Sequence, residues 1–171
     1  MPRKEIVTGV LALAIVAAVG YLWFAPPARE PAPAVRMDML EGGQLELASL
    51  QGQPVLLQFW ATTCVTCVAE MPELVHLHED FADQGLAMVG VAMPYDPPEQ
   101  VRTMVAEKGL PYRIALDRSG EVTQAFGDVR LTPTTVLIDP QGRVVWQRVG
   151  LLDFERLREE IRGMLPAGDT A

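Results

Sequence analysis

Cys64 and Cys67 are the only cysteines of the chain, and they stand in the stretch FWATTCVTCVAEMP, residues 59–72. Two thiols three positions apart admit three chemistries. The first is a structural disulfide. A four-residue loop contributes only about 2 kcal/mol on the chain-entropy account, against about 3 kcal/mol for fifteen residues, so a lone staple is inefficient there. The second is a metal site. Two thiolates suit a soft ion such as Cu(I), whereas a closed zinc site needs four ligands. The histidines, His76 and His78, are separated by one residue. On a helix they would point to different faces, which reads as surface placement.

The third is a reactive dithiol. The apolar run Pro54–Trp60 ends just before the pair, and a helix is expected from about Cys64 to Asp83. A thiol at a helix N-terminus meets free N–H groups and the positive end of the macrodipole, which stabilise its thiolate. Cys67, one turn further in, would be shielded and placed to attack a mixed disulfide. A pair with this spacing at a strand–helix junction favours the third chemistry. Cys64 is then the nucleophile and Cys67 the resolving thiol.

Several neighbours have two readings. Glu70 falls three residues after Cys67, on the same helical face, where an acid also offsets the helix dipole. Trp60 either shields the active site, within reach of substrate, or fills the core. Pro72 lacks an N–H and is expected to kink the helix. Met88 and Met93, in an apolar run, read as core packing rather than copper ligands.

The elements that must position the pair alternate in type. RMDML (36–40) and QLELASL (44–50) flank a turn at Glu41-Gly42-Gly43. PVLLQFW (54–60) suits a strand buried on both faces, and LAMVGVAM (86–93), following the stop at Gly85, suits another. The Pro-rich loop PYDPPEQ (94–100) precedes a helix over VRTMVAEKG (101–109). YRIAL (112–116) is a strand, and SGEVTQAF (119–126) a short helix that Ser119 could cap. TTVLID (134–139) and RVVWQRV (143–149) form a hairpin across Pro140-Gln141-Gly142. DFERLREEIRGML (153–165) closes the chain as an amphipathic helix. This order implies an α/β architecture with one central mixed β-sheet between helices.

Ahead of the domain lie 19 uncharged residues, Ile6–Phe24. As a helix they would span about 28 Å, close to the hydrocarbon core of a bilayer. Tyr21 and Trp23 suit the interface. A cleaved signal peptide has a shorter apolar region of roughly 7–15 residues, and Ala18-Val19-Gly20 is a poor cleavage site. An uncleaved transmembrane anchor over residues 6–24 is the expectation, after a tail of residues 1–5. Arg3 and Lys4 on one side and Arg29 and Arg36 on the other leave its orientation undecided. Residues 25–34, APPAREPAPA, read as a Pro-rich spacer, residues 35–165 as the folded domain and 166–171 as a tail.

Composition narrows the class. The 171 residues carry 14 Lys and Arg against 22 Asp and Glu, a formal charge of −8, with no basic stripe for nucleic acid. Hydrophobic residues at 49% and charged ones at 21% fit a globular fold.

Taken in order, these motifs resemble the membrane-anchored TlpA/ResA-type disulfide reductases of the thioredoxin superfamily. FWATTCVTC resembles the family's F-W-x-x-W/S-C-x-x-C, and Glu70 and Pro72 its following E-x-P. LTPTTVLID (131–139) resembles the segment that carries the cis-proline, here Pro133, and QGRVV (141–145) fits the terminal hairpin. PYDPPEQVRTMVAEKG (94–109) resembles the extra helical segment of this group.

The resemblance implies a thioredoxin-like fold and a redox-active Cys64–Cys67 disulfide. It implies a cis Pro133 beside it, substrate pairing to the backbone of Thr132, and proton handling by Glu70. It places the domain in the periplasm, on a single-pass anchor in the bacterial inner membrane. It also implies protein disulfides as substrates, such as those of apocytochrome c or a copper-site protein, and an upstream membrane thiol donor. No cofactor and no metal is expected, and a monomer is.

The chain departs from the pattern at Thr66, where a proline is common, and at Thr63, where tryptophan is common. Gln58 stands where thioredoxin has a buried acid, and a neutral amide is no general base. Two other functions compete with disulfide reduction. A copper-binding metallochaperone would use the same two cysteines. A thiol peroxidase would need P-x-x-x-T-x-x-C, but Leu57 and Ala61 occupy the matching positions.

Overall fold

The apolar run Val55–Trp60 lies inside a seven-stranded sheet. The computed structural model describes residues 13–17, 20, 23 and 29–165. Its strands are β1 (Arg36–Met39), β2 (Gln44–Glu46), β3 (Val55–Trp60), β4 (Ala87–Ala92), β5 (Arg113–Leu116), β6 (Thr134–Ile138) and β7 (Val144–Val149). They lie in the order β2-β1-β5-β4-β3-β6-β7. β3, β4 and β5 run parallel, while β6 is antiparallel to β3 and β1 to β5. A hairpin forms each edge. The helices are α1 (Val65–Phe81), α2 (Pro98–Lys108), α3 (Glu121–Ala125) and α4 (Phe154–Arg162).

The reason β3 and β4 show no polar alternation is that both faces are covered. Leu56 and Trp60 of β3 and Met88 of β4 pack with Cys67, Met71, Leu74 and Leu77 of α1 and with Leu157 and Ile161 of α4. Val55, Leu57 and Phe59, with Val89 and Val91, pack on the other face against Val122, Phe126, Leu47 and Leu50. Met88 and Met93 fall in these two separate clusters, so both are core residues and they do not converge on one ligand.

Three local expectations change. The Ala48-Ser49-Leu50 end of the second strand is a 3-10 turn, Leu47–Leu50. α2 begins at Pro98 rather than Val101: Pro97 is extended before it, and Pro98 takes the first helical position, where its missing N–H costs no bond. Ser119 is not the main cap of α3. Asp117 accepts from Val122 N at 3.1 Å and Thr123 N at 2.8 Å, and Ser119 only meets Glu121 N at 3.4 Å. α1 is continuous through Pro72. It ends in a 3-10 turn, Ala82–Gln84, that Gly85 closes at φ 105°, a left-handed conformation open to glycine.

The spacer is shorter than its composition suggests. Ala32 N donates to Gly142 O and Val144 N to Glu30 O, each at 2.8 Å, and Pro31 pairs with Arg143. Arg29 reaches Asp139 at 3.2 Å. Residues 29–34 therefore belong to the domain, because the β6–β7 turn offers them backbone partners. Of the 6–24 span, residues 13–17, 20 and 23 are helical, and the rest lies outside the described residues, as do 1–5 and 166–171. Among the described residues no helix is long and apolar enough to cross a membrane.

Candidate active site

β3 delivers the chain to the redox centre. Trp60 O accepts from Met93 N at 3.0 Å, which ties the end of β3 to the end of β4. Ala61-Thr62-Thr63 then turn, and Ala61 O accepts Cys64 N at 3.0 Å. Cys64 is the N-cap of α1: it is extended (φ −86°, ψ 100°), and its Sγ accepts Cys67 N at 3.2 Å. Thr66 Oγ1 lies 3.4 Å from the same sulfur. The two cysteines form a disulfide with Cα atoms 5.3 Å apart, inside the usual range. Cys67 is 1% exposed and Cys64 partly exposed, so only one sulfur is presented to a partner.

Three segments converge on this end of the sheet. Thr132–Pro133 is a cis peptide immediately before β6. Pro133 O accepts Gly150 N at 2.8 Å, while the backbone N–H and C=O of Thr132 have no backbone partner among the described residues. Val65, Leu131 and Leu151, on α1, the cis-proline loop and the loop after β7, are exposed apolar side chains.

Two buried polar side chains, Glu70 of α1 and Gln58 of β3, lie on the elements that carry the chain into the disulfide. Glu70 is buried; its Oε1 accepts Leu152 N at 2.7 Å, and its Oε2 has no partner. Burial pushes its carboxyl above the usual range, against the Leu152 hydrogen bond. Gln58 is also buried, and it stands directly opposite Thr135 and Gly90 on the neighbouring strands. Gln58 Nε2 and Thr135 Oγ1 both lack partners. Trp60, at 2% exposure, packs in the core cluster with Met88 and Ala92 of β4 and Cys67 and Met71 of α1.

His76 is exposed and pairs with Glu79 at 3.3 Å. His78 is not a surface residue as expected; it is half-buried, edge-on to Tyr112, and burial lowers its pKa. Among the described residues no cluster of three or more His, Cys, Asp or Glu is placed to hold a metal ion.

The redoxin family model matches residues 27–160 of the chain. The chain belongs to the redoxin family. Within that family it is similar to the thiol-disulfide oxidoreductase ResA of Bacillus thuringiensis subsp. konkukian, with 32% identity over 79% of this chain and 77% of that protein. ResA of Bacillus subtilis is 29% identical over 99% of this chain and 97% of its own. Among solved structures, a thiol:disulfide interchange protein of Chlorobium tepidum superposes with a TM-score of 0.74 at 26% identity, covering 83% of this chain and all of that one. This redoxin is a thiol–disulfide oxidoreductase of the thioredoxin-like fold, and Cys64 and Cys67 form its redox centre.

Sequence reasoning missed one member of this region. Asp96, in the loop after β4, is buried and holds Thr62 of the redox loop. The available signal was a single acid inside an otherwise apolar, Pro-rich turn.

Proposed function

We propose that the protein is a membrane-anchored reductase of protein disulfides that works on the periplasmic side of a bacterial inner membrane. The observation that carries it is the asymmetric pair: Cys64 is reachable at a helix N-terminus, and Cys67 is buried one turn behind. In the reduced form the Cys64 thiolate attacks one sulfur of a client disulfide. The client S–S bond breaks, and its leaving thiolate takes up a proton. Cys67 then loses its proton and attacks Cys64 Sγ, which expels the second client thiolate. Two electrons pass from enzyme to client, the Cys67 proton and one proton from solvent end on the two client thiols, and the Cys64–Cys67 bond forms.

Surrounding groups have roles in this reading. Glu70, one helical turn after Cys67 and with its carboxyl raised by burial, is suited to take up and return the Cys67 proton. Thr132 offers its free backbone groups to an extended client chain, with Pro133 shaping the loop beside the disulfide. An upstream membrane thiol donor returns the pair to the dithiol. The same family analogy suggests apocytochrome c or a copper-site protein as client.

The anchor reading rests on the uncharged span of residues 6–24. With residues 29–34 laid on the domain, only 25–28 separate that span from it, and four residues reach at most about 14 Å. The chain enters at the β6–β7 turn, the end of the sheet opposite Cys64, so the redox centre faces away from the bilayer.

The test is alkylation of the protein in growing cells together with membrane fractionation. The proposal expects a mostly reduced pool in the membrane fraction. A mostly oxidised pool would argue for an oxidant or isomerase, and a soluble product that starts after residue 20 for a cleaved leader.

A further inference from the structure

The loop that presents Cys64 carries a polar anchor with no part in the exchange steps above. Asp96 is 6% exposed. Its Oδ2 accepts Thr62 N–H at 2.7 Å, and its Oδ1 accepts the Thr62 hydroxyl at 2.5 Å. Asp96 N in turn donates to Met93 O at 3.0 Å, so the anchor is itself fixed to the end of β4. Both carboxyl oxygens are engaged with Thr62, whose hydroxyl also lies 3.4 Å from Gln100 Oε1. Thr62 precedes Cys64 by two residues, a span of at most about 7 Å, which is within a Debye length at physiological salt. Other ionisable groups near this end of the sheet include Glu99 and Glu107 of α2, which line a groove with Thr62 and Thr63, and Asp117, whose N–H donates to Ala92 O at the end of β4 and whose carboxyl caps α3. Asp96 is the acid hydrogen-bonded to Thr62.

We propose that Asp96 is a positioning residue of the redox centre: through Thr62 it fixes the loop that presents Cys64 and holds its carboxylate near the attacking thiol. The inference rests on the reductase reading of Cys64. A like charge disfavours a thiolate, and a dithiol whose reduced form is less stabilised gives up its electrons more readily. Asp96 thus opposes the helix N-terminus and keeps the pair on the reducing side.

The equilibrium that reads this is dithiol enzyme plus glutathione disulfide against disulfide enzyme plus two glutathiones, a balanced two-electron, two-proton exchange. It is measured on the full-length chain, alongside thiolate absorbance of Cys64. Asp96→Asn keeps the shape, accepts Thr62 N–H through Oδ1 and donates to Thr62 Oγ1 through its amide. It is expected to favour the dithiol at least threefold and to lower the Cys64 pKa. Thr62→Ala keeps the charge and removes one loop contact, and is expected to show no shift toward the dithiol. Asp96→Ser is a second neutral variant with the same expected sign as Asp96→Asn, and thermal melts identify the variants that fold. No shift in the neutral variants, or equal shifts in them and in Thr62→Ala, would overturn the proposal, since equal shifts mark loop geometry alone. A wild type that does not exchange with glutathione at all would instead overturn the reductase reading, and this inference with it.

Discussion

Glu70 Oε1 accepts Leu152 N–H at 2.7 Å, so a carboxylate inside α1 holds the loop that leads from β7 to α4. Its second oxygen is buried without a partner. Burial raises its pKa on folding, and only the Leu152 bond opposes this. A carboxyl raised on folding binds its proton more tightly in the native state. Its contribution to stability is therefore present below the ordinary glutamate pKa and declines as pH rises through the raised one. Glu70→Gln keeps an acceptor for Leu152 and has no proton to lose. Urea midpoints at about pH 4 and about pH 8 are expected to show the Gln variant gaining on the wild type as pH rises. A pH-independent difference would contradict the buried-carboxyl account.

Asp139 shows the opposite sign. Burial alone would raise its pKa, but the Arg143 N–H, Arg29 and the Arg143 guanidinium outweigh it, and the net shift is downward. Its stabilisation is present above the ordinary aspartate pKa and is lost as pH falls through the lowered value. Asp139→Ala leaves Gln141 N, Arg143 N and two arginines without their acceptor. The expected cost is about 2–4 kcal/mol in denaturant unfolding at neutral pH. The variant should also free residues 29–32 from the β6–β7 turn, read as faster amide exchange at Ala32.

Gly90 marks where the core accepts no more volume. A Cβ there would meet Ile114 Cδ1 and Trp60 Nε1, each at 3.0 Å. Gly90→Ala is expected to destabilise by about 1–3 kcal/mol through overpacking. Because Trp60 is one of the neighbours, its fluorescence should change in the folded variant. An unchanged melt would show that the Trp60 ring moves aside freely.

Much of this site was legible in the sequence because the chemistry sits on one strand–helix junction. PVLLQFW carries no polar alternation, so it had to be a doubly covered strand, and the cysteines follow it directly. The cis state of Thr132–Pro133 was legible only through family resemblance, since most X–Pro bonds are trans. Asp96 was not legible, because its partner Thr62 is 34 positions away and no local pattern links them. Asp117 hid in the same way: it caps α3 from five and six residues upstream, so the nearer Ser119 looked the better cap. The spacer misled because prolines suggest an extended, free chain, and backbone pairing of residues 30 and 32 to a distant turn leaves no mark in composition.

Cys64 should titrate low for a thiol. It caps α1 and already accepts Cys67 N–H at 3.2 Å, so its thiolate meets the helix N-terminus. A pKa below about 8 is expected by thiolate absorbance of the reduced protein, despite the charge of Asp96. A value of about 9 or above would contradict the nucleophile assignment.

The central claim is that exchange enters at Cys64 and is resolved by Cys67, and trapping tests it most directly. Non-reducing electrophoresis with mass spectrometry is run on cells that carry Cys67→Ser or Cys64→Ser. With the resolver gone, exchange stalls at the mixed disulfide, so Cys67→Ser should accumulate client adducts through Cys64. Cys64→Ser should trap few, because the remaining sulfur is buried. Equal and negligible trapping by both variants, with tight Cu(I) binding by the wild type, would contradict the account and favour a metallochaperone.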